Sequence, residues 1–77
     1  MSRVFTDRDL LTWETYLSSG RFGLPDQPKL VFNCLSEQDR RARYVRFNGD
    51  QADAEEVLAE LPDDDLREML AASRELD

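Results

Sequence analysis

Arg40, Arg41, Arg43 and Arg46 crowd around Tyr44 in the stretch EQDRRARYVRF. Guanidinium forks grip phosphate or carboxylate through paired hydrogen bonds, and an interleaved aromatic ring can stack on a base. These five residues are therefore the candidate binding set. A two-stranded ribbon carrying them could also enter a major groove. Glu37 and Asp39 lie in the same turn and dilute its charge. A charged turn is also ordinarily just solvated, and Arg43 and Arg46 could instead pair with acids further along the chain.

Catalytic chemistry finds little support. The chain has no histidine, the residue that most often moves protons near neutral pH. Its one cysteine, Cys34, falls on the inward side of an expected strand, and a buried thiol without an activating base is inert. Zinc would call for several Cys or His ligands. A calcium loop opening at Asn48 fails because Ala52, Asp53 and Ala59 stand where ligands or the turn glycine belong. No enzymatic activity, metal or cofactor is expected.

The arginines need a scaffold, and the run KLVFNCLS followed by YVRF supplies it as an antiparallel hairpin spanning Lys29 to Phe47. Side chains alternate along a strand, so Leu30, Phe32, Cys34, Val45 and Phe47 make one apolar face. Val31, Asn33, Leu35, Tyr44 and Arg46 make the other. A slip of one residue would drive Arg46 into the core, so paired residue numbers should sum to an odd value, for example Cys34 opposite Val45.

Helices are expected on either side. Thr6 reads as an N-cap, with Phe5 and Leu10 as a hydrophobic staple and Leu10, Trp13 and Leu17 as a helical stripe ending near Gly20. Phe22 and Leu24, between two glycines and two prolines, are expected to fold back over that helix. After Asn48-Gly49, a second helix carries Ala54, Val57, Leu58 and Leu61. Pro62 stops it, and a third carries Leu66, Met69, Leu70, Ser73 and Leu76. The expected fold class is α+β, with a two-stranded hairpin against three helices in the order (β)-α-β-β-α-α and Val4-Phe5 as an optional edge strand. Residues 1-77 are read as one small globular domain.

Composition narrows the functional classes. The net charge of −7 divides into +2 up to Gly49 and −9 from Asp50 onward. Overall acidity disfavours unspecific attraction to DNA or anionic membranes, while a local basic face can still act. No stretch approaches the ~20 apolar residues that a membrane-spanning helix requires. A lone cysteine suits the cytoplasm. The expectation is a small acidic protein-interaction module that uses the outer hairpin face or the acidic C-terminal helices. A nucleic-acid-binding module using the arginine hairpin is the alternative, and a homodimer is a further form of association.

Overall fold

The computed structural model describes residues 2–18, 28–47, 49 and 51–75. Five antiparallel strands make one sheet in sequence order: β1 (Ser2–Thr6), β2 (Thr12–Ser18), β3 (Lys29–Cys34), β4 (Arg43–Arg46) and β5 (Arg74–Glu75). Helices α1 (Gln51–Glu60) and α2 (Asp63–Ala72) intervene between β4 and β5 and cover one face. The class is α+β, but the expected two-stranded hairpin with three helices is replaced by a five-stranded sheet with two.

The first expected helix is where that reading fails. Thr12–Ser18 alternates in burial instead of following a helical stripe: Trp13 and Thr15 are buried, while Thr12, Glu14 and Tyr16 on either side of them are partly exposed. TWETY is rich in β-branched and aromatic residues, which pack well on a pleated surface. Phe5 opposite Trp13 then fills the core better than a staple would, and Leu10 is left in solvent. Asp7 nucleates a turn rather than a helix. Its Oδ1 accepts the Asp9 and Leu11 N–H groups at 2.8 and 2.9 Å, its Oδ2 accepts the Trp13 indole N–H at 2.7 Å, and Leu10 takes a φ of 67°. Short polar side chains offer the backbone this local alternative to helix.

The β3–β4 hairpin has the expected parity. Leu30 pairs with Val45 and Lys29 with Arg46, both odd sums. The expected pairing of Cys34 with Val45 is not found: the register is shifted by four residues, so Val45 opposes Leu30 and the β4 pairing ends at Phe32, with Cys34 paired only to Trp13 of β2 on its other side. The inner face stacks Phe5, Trp13, Leu30, Phe32 and Cys34 against Leu58, Leu66 and Leu70. Phe5 and Phe32 meet edge-on at 6.0 Å between ring centroids. Burying a side chain of this size stabilises the fold by ~1.5–3 kcal/mol.

The last helix stops earlier than its stripe suggests. Ser73 takes extended backbone and β5 follows at once, so residue 73 ends the helix instead of continuing it. The turn at Gly49 needs glycine: its φ is 144°, and a Cβ would lie 2.9 Å from the Phe47 ring. The expectations for Phe22, Leu24, the Gly20 cap and Leu76 concern positions outside the described residues. Among the described residues, no helix is long and apolar enough to cross a membrane.

Candidate binding surface on the outer sheet face

Register assigns every described strand residue to a face. Main-chain pairing aligns Ser2, Tyr16, Val31, Tyr44 and Arg74 in one row across the outer side, away from the helices. Ser18, Lys29 and Arg46 form the next row, and Val4, Glu14 and Asn33 lie on the opposite flank. Val31, flanked by the two tyrosines, is only 5% exposed although it is not part of the core under the helices. The strip is thus aromatic and apolar at its centre and cationic along one side.

Polar contacts order this strip. The Lys29 ammonium sits 5.7 Å from the Tyr44 ring centroid, within cation–π range. Asn33 donates to the Tyr16 hydroxyl at 3.4 Å, and Ser2 donates to Glu14 at 3.1 Å. Beside the strip, Tyr44, Val45, Arg46, Ala72 and Arg74 line an open groove of about 390 Å³. It lies where, among the described residues, β5 pairs with Arg43 and Tyr44 but no strand pairs with Val45 and Arg46 on that side.

The five candidate residues do not act together. Tyr44 and Arg46 share the outer face. Arg43 has the opposite parity and lies on the helix side, where its Nε and Nη2 donate to Ser73 Oγ at 2.8 Å and Ser73 O at 2.6 Å. Its guanidinium ties the end of α2 to the sheet. Arg40 and Arg41 belong to the exposed β3–β4 connection, and Arg40 bonds Glu37 at 2.6 Å. That hydrogen bond raises the Arg40 pKa above its ordinary value.

Sequence reasoning missed a second grouping at the loop end of the sheet. The β1–β2 turn, the β3–β4 connection and α2 bring Arg8, Arg40, Arg43 and Arg67 around a cleft of about 300 Å³ beside Trp13. Its field is weak, because Asp7 and Asp9 line the same cleft and Glu37, Glu75 and Asp64 pair with three of the arginines. Burial pushes the Asp7 pKa up. The hydrogen bonds from Leu11, Trp13 and Asp9, helped by Arg40, outweigh this and hold it below the ordinary value. No local signal could have revealed the cleft, since residues 8, 40 and 67 meet only through tertiary packing.

Charge segregates by layer. The helical segment Gln51–Ala72 holds eight acids and one arginine, the entire net −7, and the remainder of the chain is neutral. Cys34 is free and buried, and among the described residues no three Cys, Asp or Glu side chains gather as a metal site. Comparison with protein-family models, curated proteins and solved structures finds no significant match to the chain.

Proposed function

We propose that the chain is a small non-enzymatic interaction module of the cytoplasm that engages a protein partner through the outer face of its sheet. The observation that supports this is the Tyr16–Val31–Tyr44 row bordered by Lys29, Arg46 and Arg74 on the side opposite the acidic helices. Tyrosines supply large contact area at little entropic cost, and flanking cations select the partner by charge. The complementary docking segment is acidic with interspersed apolar residues. Tyr16→Ser combined with Tyr44→Ser should remain folded yet fail to retain a partner that the native chain captures. Equal retention by both proteins would move the site off this face.

A nucleic-acid reading is favoured by one specific feature, the Lys29 ammonium over the Tyr44 ring with Arg46 alongside, which resembles a base-stacking platform in chemistry. The −7 of the neighbouring helices disfavours a long polyanion. Titration with labelled single-stranded oligonucleotides at two salt concentrations separates the readings: tight binding that weakens steeply with salt would replace the protein partner by nucleic acid.

A further inference from the structure

The sheet has a long outer edge at β1, and hydrogen-bond parity shows which groups it offers. Asp7 N–H donates to Leu11 O at 2.8 Å, continuing the β1–β2 ladder. Neighbouring residues in a strand direct their main-chain groups to opposite sides. The main-chain groups of Arg3 and Phe5 therefore face β2, and those of Ser2, Val4 and Thr6 face outward. The strand order ends at β1, so no described strand covers them. Val4, at the centre, is 56% exposed. Among the described residues, Thr6 O is capped by Arg67 Nε at 2.6 Å, which leaves the Thr6 N–H open.

The helix side of this edge adjoins the acidic helical segment, two of whose carboxylates are paired with arginines there. Arg3, on the helix face of β1, bonds the carbonyls of Leu58 and Leu61 and pairs with Asp63 at 2.7 Å. Arg67 links Thr6 to Asp64, also at 2.6 Å. The first turn of α2, Asp63-Asp64-Asp65, is thereby held beside the open edge, and Asp64 is 90% exposed. Even with Arg3 counted, the helical segment keeps a charge of −6. A second copy of the chain suits the edge poorly, because antiparallel pairing about Val4 would bring two such acidic turns together.

We propose that the outer edge of β1 accepts an extended basic segment of another protein as a sixth strand. Its main chain would bond Ser2, Val4 and the Thr6 N–H, and its Lys or Arg side chains would engage the Asp63–Asp64 turn. Alternation sets the pattern. Residues facing the helices are basic, and those facing outward beside Val4 are apolar, so the matching segment reads basic–apolar–basic. This interface is separate from the outer face invoked above and does not depend on it.

A fluorescent, end-capped Lys-Val-Lys-Val-Lys-Val-Lys peptide and its Glu counterpart test this by anisotropy. The basic peptide should bind and the acidic one should not. Val4→Pro removes one outward N–H while sparing the β2 ladder, a replacement tolerated on edge strands. It should weaken binding at least tenfold without lowering the thermal midpoint. Asp63→Lys with Asp64→Lys should abolish the preference for the basic peptide. In the native chain, peptide should slow hydrogen exchange of the Val4 and Thr6 amides, a readout that holds even if a variant unfolds. Equal binding of both peptides, unchanged binding by folded V4P, or unprotected Val4 and Thr6 amides would overturn the proposal. A native dimer that V4P dissociates would replace the foreign segment by a second copy.

Discussion

Replacing Thr15 with valine should stabilise the protein. Thr15 lies on the helix face of β2, in the row between Arg3 and Phe32, and is 0% exposed. Among the described residues its hydroxyl has no hydrogen-bond partner. Arg3 is the nearest polar candidate by register, but it reaches past Thr15 to Leu58, Leu61 and Asp63. An unsatisfied buried hydroxyl costs ~1–3 kcal/mol, and valine has nearly the same shape with high strand propensity. The expected gain is ~1–2 kcal/mol, with a rise of ~4–8 °C in thermal midpoint for each kcal/mol in a domain of this size. Urea titration with an unchanged slope would place the effect in the folded state. Thr15→Ser keeps the hydroxyl and loses a buried methyl, so it should destabilise by ~1 kcal/mol. A T15V midpoint at or below the native value would refute the reasoning, since it would mean that the hydroxyl is bonded.

Leu10→Gly should also stabilise, by up to ~1 kcal/mol. A left-handed φ costs a non-glycine residue ~1–2 kcal/mol, of which the flexibility of glycine in the unfolded chain returns ~0.5–1. Leucine at this site is 82% exposed and loses little burial, so a drop in the urea midpoint would show that the strain is absent. Arg43→Ala should cost ~1–3 kcal/mol by removing the donor to the Ser73 carbonyl, while the Ser73 hydroxyl keeps its bond to Leu70 O, and should speed amide exchange in β5; unchanged exchange there would mean that the α2 end is held otherwise. Asp7 has a folded pKa below its unfolded one, so its stabilising contribution is present above the ordinary aspartate range and is lost as pH falls through the folded value. Asp7→Asn should therefore be less stable than the native chain at pH 7, with the gap closing below about pH 4 in thermal melts. A gap independent of pH would remove the charge from that account.

The parity of the hairpin from Lys29 was legible because both of its faces are constrained: only one parity turns Phe32 and Val45 inward together while leaving Arg46 outside. The segment from Thr6 to Ser18 was misleading for the opposite reason. Its apolar residues fit a helical stripe and an alternating strand equally well, and a nearby threonine and aspartates resemble a cap. Tertiary packing broke the tie by placing Trp13 against Phe5 and Cys34. Of the candidate site, Tyr44 and Arg46 shared the face that their alternation required. Arg43 was lost to a structural task because the end of α2, thirty residues on, needed a donor for Ser73.

From its residues alone, this chain specifies an α+β protein with a β3–β4 pair of fixed parity, an acidic helical segment and a basic, tyrosine-bearing strand. Those are matters of local pattern, in which periodicity and charge lie next to one another in the chain. Which strands border the sheet, which arginines stay on its outer face and which groups the β1 edge leaves open were decided only in three dimensions. Each depends on a partner far away in sequence, and hydrogen-bond parity transmits that choice from strand to strand across the whole sheet.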